Sequence, residues 1–204
     1  VYKRQPKSAI IKQSAASKEL LAHEGVVEVF ENLEDLANRI DSDDLNVTKD
    51  SILLLKNIGP IGAPGMPEAG LIPIPKKLAK QGVKDMVRIS DGRMSGTAAG
   101  TIILHVCPEA AAGGTLDVVK SGDIIKLDVK QRLLELKLSD EEIATRKKSK
   151  KSDTEIKRRG YDKIFHESFS HVRFIISIAF FSSSIVRFIG GRSLTTLSEA
   201  FIVS

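Results

Sequence analysis

The sequence predicts an α/β domain over residues 7–145. Short runs rich in β-branched and aliphatic residues recur at 26–30, 51–55, 86–89 and 101–106. Between them lie segments with helical apolar spacing and recognisable start signals. Two Gly-rich polar loops, 57–70 and 90–100, each follow one of the strand-like runs, and alternation of this kind is the mark of a mixed strand–helix architecture.

Taken in order, Ser17 is placed to cap a short helix over 18–23, closed by Gly25. Residues 26–30 read as a strand. Asn32 then caps a helix carrying Leu33, Leu36, Ala37 and Ile40 on one face. Residues 51–55 read as a buried strand, and the Gly/Pro-rich loop follows. A short helix is expected over 75–81, a strand over 86–89, the second loop over 90–100, and a further strand over 101–106. Residues 124–129 and 133–138 form a hairpin across Lys130 and Gln131. Ser139-Asp140-Glu141-Glu142 starts a last helix that runs into a lysine cluster. No internal repeat is visible.

The net charge of +5 is concentrated. Residues 146–159 hold eight Lys/Arg against Asp153 and Glu155, a local +6, so the rest of the chain sums to about −1. No aromatic residues interleave with these charges, so 146–160 reads as a solvated basic linker and no nucleic-acid partner is expected. Cys107 is the only cysteine. It excludes an intrachain disulfide and an iron–sulfur cluster held by this chain alone. The compartment reads as reducing: cytoplasmic, or mitochondrial in a eukaryote.

Both ends read differently from the middle. Residues 1–5, VYKRQ, look like a translated sequencing adapter, and 1–6 are set aside as a non-native leader with no secretory signal in it. In the tail, 161–204, seven of the eight Phe lie at position 165 or later, and Glu199 is the only acidic residue after 168. The apolar stretch 174–186 falls short of the roughly 20 residues of a membrane span. A marginal anchor and a frame-shifted extension both fit; the extension is favoured, and no membrane partner is expected.

Two loops carry the candidate chemistry. The first, GPIGAPGMPEAG at 59–70, holds four glycines and three prolines around one ionisable side chain, Glu68. A carboxylate on so rigid a loop suits a hard cation such as magnesium; it equally suits a stiff turn with an exposed Glu. The second, SDGRMSGT at 90–97, follows an apolar strand. It gathers hydroxyls, a carboxylate and a guanidinium, so Ser90, Asp91, Arg93 and Thr97 are substrate-binding candidates. Ser95, between Met94 and Gly96, could be a nucleophile, a base or a hydrogen-bond donor. G-x-S-x-G is absent around it, which speaks against a conventional serine hydrolase. His105 reads as a core histidine, and nothing near Cys107 signals an activated thiolate.

At these loops the chain resembles the dihydroxy-acid dehydratase and phosphogluconate dehydratase family. GPIGAPGMPE at 59–68 and RISDGRMSGT at 88–97 look like its paired signatures. IKQSAAS at 11–17, HVCPEA at 105–110 and Gly122-Asp123 are similar to further family stretches. GAPGMPE, PIPKK at 73–77 and DMVRIS at 85–90 look closer to the sugar-acid branch, that of the L-arabinonate dehydratases, than to the branched-chain biosynthetic enzymes. Arg159-Gly160-Tyr161 still resembles the family; after about 168 the match is lost.

The resemblance implies a swivelling β-barrel-like C-terminal domain with flanking helices. It implies a hydro-lyase that turns a 2,3-dihydroxy sugar acid into a 2-keto-3-deoxy acid with an iron–sulfur cluster and Mg2+. Carried over, Glu68 is a magnesium ligand and Ser95 is the catalytic base at C2. The cluster ligands and remaining magnesium ligands would lie in an N-terminal domain of the same enzyme, this chain alone would be inactive, and the complete enzyme would be a homo-oligomer. A branched-chain dihydroxy-acid dehydratase, and a non-catalytic binding module using the basic linker, are the alternatives.

Overall fold

The structure, a computed structural model, describes residues 8–149, 159–161 and 163–164, and the backbone of 185–190. The strands are β1 (Ser8–Ile11), β2 (Ala22–Phe30), β3 (Ile52–Leu55), β4 (Arg88–Ser90), β5 (Ile102–Cys107), β6 (Ile124–Asp128), β7 (Leu133–Leu136) and β8 (Ile185–Gly190). The helices are α1 (Leu33–Arg39), α2 (Lys76–Lys80), α3 (Thr115–Val118) and α4 (Asp140–Ser149). The α/β expectation holds, and the strands curl into a barrel in the order β1-β5-β4-β3-β2-β6-β7-β8.

The centre of the sheet is parallel, β2-β3-β4-β5, and its flanks are antiparallel, β2 with β6, β6 with β7, and β5 with β1. A parallel centre demands apolar side chains on both faces. Strand β3, ILLL, is buried throughout. Ile52 and Leu54 join Val27, Val29, Ile89, Ile103 and Leu134 inside the barrel. Leu53 and Leu55 face the other way, into a second core with Phe30, Leu36 of α1 and Leu78 of α2. The period of two along the strand thus divides one segment between two cores. Each such side chain contributes roughly 1.5–3 kcal/mol by burial.

Local signals account for most elements. Asn32 Oδ1 accepts from the Asp35 N–H at 2.9 Å, so α1 is capped as its sequence announces. Ser139 Oγ accepts from the Glu142 N–H at 3.2 Å and opens α4. The hairpin forms with Leu127 opposite Leu134. Arg146 turns from the basic stretch to bridge Asp123 at 2.6 Å and so docks α4 on the barrel; residues 150–158 lie outside the described residues, as does the leader 1–6.

The helix expected over 18–23 does not form. Only a 3-10 turn, Lys18–Leu20, is present, and β2 begins at Ala22. Pairing of Ala22 through Val26 with β6 recruits the segment into the sheet, outweighing weak helix signals. Gly25 is therefore no helix stop: a Cβ there would run into the Asp50 carbonyl. Strands β1 and β8 were not anticipated. Strand β8 falls in the tail, pairing antiparallel with β1 (Ala9 opposite Val186) and parallel with β7 (Leu134 opposite Phe188). The other tail residues from 165 on lie outside the described residues. Among the described residues no helix is long and apolar enough to cross a membrane.

Candidate functional site

Strands β3 and β4 are parallel neighbours, with Leu55 opposite Ser90. Both Gly-rich loops leave the C-terminal ends of these strands, so the fold brings them out side by side. Arg93 joins them. Its Nε donates to the Met66 carbonyl at 2.6 Å, and its guanidinium pairs with Glu68 at 2.6 Å. Its own carbonyl accepts from the Gly70 N–H at 2.7 Å. A Cβ on Gly70 would lie 2.8 Å from that carbonyl oxygen, so only glycine permits the approach. The Glu68 and Arg93 side chains remain 48% and 37% exposed, so the pair sits on an open face.

Beyond Arg93 the second loop turns outward. Ser95 Oγ and Thr97 Oγ1 lie 3.1 Å apart in a hydrogen bond. Lys12, just past β1, reaches in to donate from Nζ to the Gly96 carbonyl at 2.7 Å. Lys12 sits in the IKQSAAS stretch, but its sequence position 84 residues away gave no sign of this contact. The residues on either side of the serine loop's tip thus meet an ammonium at Gly96 and carry a guanidinium at Arg93.

The other loop residues face inward. Ser90 is fully buried, and its Oγ accepts from the Gly92 N–H at 2.9 Å. Asp91 is fully buried and accepts from the N–H groups of Ile58 and Ala110 at 3.0 Å and Asn57 at 3.2 Å. Burial pushes its pKa up to about 6 against those hydrogen bonds, with the nearby Glu109 charge adding to the rise. The substrate-binding candidates therefore divide: Arg93 and Thr97 reach the open face, whereas Ser90 and Asp91 serve the loop backbone in this structure. Burial, then Glu109, pushes the Cys107 thiol up to about 11, so it is not a thiolate near neutral pH. His105 is buried on β5, with its N–H donating to the Gly92 carbonyl at 3.1 Å.

A partly buried clamp holds the far ends of both loops. Asp85 accepts from Ser17 Oγ and Thr101 Oγ1, each at 2.7 Å, and pairs with Arg88 at 2.8 Å. Arg88 donates in turn to the carbonyls of Leu71 and Ile72. Burial alone would raise the Asp85 pKa; the hydrogen bonds from Ser17 and Thr101, with the Arg88 charge, outweigh it and hold the carboxyl below its ordinary range. The Ser17 side chain, read as a helix cap, is spent here.

Among the described residues no group of three or more His, Cys, Asp or Glu could hold a metal ion. Glu68 fits one oxygen ligand of a site completed from elsewhere. A single buried cysteine does not fit an iron–sulfur cluster.

Comparison with known proteins agrees with the two loops. The profile of the dihydroxy-acid/6-phosphogluconate dehydratase C-terminal family matches residues 5–173. The chain is 50% identical over 156 residues to an L-arabinonate dehydratase of Rhizobium leguminosarum bv. trifolii, covering 76% of this chain and 27% of that protein. It is 52% identical over 142 residues to a 6-deoxy-6-sulfo-D-gluconate dehydratase of Pseudomonas putida, covering 70% and 24%. A dihydroxy-acid dehydratase of Archaeoglobus fulgidus is 40% identical over 150 residues, covering 73% and 27%. The chain thus spans about a quarter of the length of these relatives. With both signature loops in place and the profile matched over most of its length, the chain belongs to the dihydroxy-acid/6-phosphogluconate dehydratase C-terminal family.

Proposed function

We propose that this chain supplies the C-terminal share of the active site of a hydro-lyase acting on a 2,3-dihydroxy sugar acid, with a 2-keto-3-deoxy acid as product. The observation that carries it is Arg93, which ties the Glu68 loop to the Ser95 loop across 2.6 Å contacts on one open face. Higher identity to the sugar-acid dehydratases, 50% and 52% against 40%, favours a sugar acid over a branched-chain substrate.

In this reading Ser95 Oγ, as the alkoxide, accepts the proton from C2 and hydroxide departs from C3; that proton and the hydroxide leave as water, and the resulting enol tautomerises to the 2-keto acid. A serine hydroxyl is a weak base and needs positive charge close by. This chain contributes Arg93 and Lys12 to that field, and Thr97 orients the hydroxyl. Arg93 and Thr97 also face the side from which a substrate carboxylate or hydroxyl would approach. Glu68 would be one magnesium ligand, exchanging its guanidinium partner for the ion. Magnesium and an iron–sulfur cluster, held largely by a second domain of the enzyme, would supply charge stabilisation and Lewis acidity. That domain, and a second copy of the enzyme, are the proposed partners; a reducing compartment, cytoplasmic or mitochondrial, suits the cluster.

The test is 2-keto acid formation from L-arabinonate and related sugar acids. It is measured with this chain alone, with the N-terminal part of a close relative alone, and with both, under anaerobic loading with iron, sulfide and magnesium. Turnover is expected only from the combination. Activity from this chain alone would defeat the two-domain account.

A further inference from the structure

We propose that Asp91 and Glu109 are positioning residues for Glu68: two buried carboxylates that hold the backbone of residues 57–62 and so set where the Glu68 turn stands relative to Ser95. The inference rests on the reading of Glu68 and Ser95 given above.

The geometry is specific. Asp91 accepts from the N–H groups of Asn57 and Ile58, where the chain leaves β3. Glu109, after β5, accepts from Ile61 N–H at 2.9 Å and Gly62 N–H at 3.0 Å. Both carboxylates are fully buried. Four N–H groups of one six-residue segment are thus bound by carboxylates from two other strand ends. A Cβ at Gly59 would lie 2.5 Å from Glu109 Oε2, so the segment is shaped around that side chain.

The placement gives the carboxylates a reason to be buried. Charge-assisted hydrogen bonds are about twice as strong as neutral ones, and buried carboxylates are costly unless so satisfied. Asp91 lies on the Ser95 loop yet grips the root of the Glu68 loop. The separation of the two functional groups therefore does not depend on the exposed Arg93–Glu68 pair alone. A misplacement of about 1 Å can cost on the order of 100-fold in rate, which makes such a support worth its burial.

Amide hydrogen exchange of this chain, read by NMR, tests the proposal without requiring activity. In Glu109→Ala, Ile61 and Gly62 should exchange about tenfold faster or more. The Met66 and Glu68 amide resonances should shift, while β3 and β4 stay protected. Glu109→Gln should restore protection, since its carbonyl can stand where Oε2 stands. An amide cannot accept on both sides, so Asp91→Asn should lose protection either at Ile58 or at Asn57 and Ala110. In the two-part enzyme, Glu109→Ala should raise the magnesium concentration for half-maximal rate about tenfold, with a smaller change in KM for the sugar acid.

Unchanged exchange at Ile61 and Gly62, unmoved Glu68 resonances, or an unchanged magnesium requirement would overturn the proposal. So would a uniform loss of protection, which would make Glu109 a fold determinant only. If Glu109→Ala does not fold, Asp91→Asn decides the question at Ile58, Asn57 and Ala110, where unchanged protection would overturn the proposal. An inactive wild-type two-part enzyme would count against the dehydratase reading and leave the exchange result to judge this one.

Discussion

Ser95 and Glu68 carry the sharpest expectations. In the two-part enzyme, Ser95→Ala should lower kcat by 100-fold or more, on the order of a lost acid/base group, while substrate still binds. Retention of about a tenth of kcat would remove the serine from the base role. Glu68→Gln should weaken magnesium binding and be partly rescued by excess metal, checked by titration and by rate against metal concentration; unchanged affinity would leave Glu68 a turn residue paired with Arg93. Asp91 offers a test by pH. Its folded pKa, about 6 against an ordinary 3.8, is raised, so the fold binds this proton more tightly than the unfolded chain. Stability from this group is therefore greatest below the unfolded pKa and falls as pH rises between those values, by about 3 kcal/mol in all. The Tm of the wild type relative to Asp91→Asn should rise as pH falls from 7 to 4. A constant difference across that range would show that Asp91 is not so perturbed. The two loops themselves were legible because glycine and proline spacing and contiguous motifs mark them, and the family resemblance is what singles out Ser95 and Glu68 for the roles proposed. The burial of Ser90 and Asp91 was not, because a Ser or Asp in a Gly-rich loop looks the same whether it faces solvent or a neighbouring backbone.

At the scale of elements, capping was the most readable signal. Asn32 satisfies an otherwise unpaired N–H at the start of α1, a seven-residue helix with little stability of its own. Asn32→Ala should cost about 1 kcal/mol in denaturant midpoint with an unchanged m-value. No loss would mean that the packing of Leu36 holds the helix without its cap. The failed helix over 18–23 marks the opposite case. Ser17 has the right residue type for a cap, but Asp85, 68 residues away, takes its hydroxyl. Five residues of β2 then find partners on β6. Local propensity is a matter of tenths of a kcal/mol per residue, and a full set of cross-strand bonds outweighs it. Strand β1 escaped notice for a related reason: a four-residue run, SAII, with three apolar residues does not distinguish strand from helix until β5 lies alongside.

For the whole molecule the tail is decisive. Read as sequence, 169–204 looks removable, with solubility gained on its loss. The structure instead sets β8 between β1 and β7, where it closes the barrel. Deleting 169–204 should leave two open strand edges, which are templates for association. The truncated chain is therefore expected to show a lower Tm by calorimetry and concentration-dependent self-association by light scattering. An unchanged Tm and a monodisperse truncated chain would show that the seven remaining strands are sufficient.

The sequence by itself determined the class of fold, the two loops and their family. Each of these is written in short-range features: alternation of apolar residues, glycine and proline spacing, contiguous motifs. Tertiary structure alone decided what those loops do to one another. The parallel pairing of β3 with β4 sets them side by side. Arg93 then bridges them, Lys12 arrives from β1, and Asp91 and Glu109 grip the root of the Glu68 loop from beneath. These contacts join residues 25 to 84 positions apart. No local pattern records them, because every residue but proline offers the same backbone N–H and carbonyl, and only the packed sheet selects which of them a buried side chain meets.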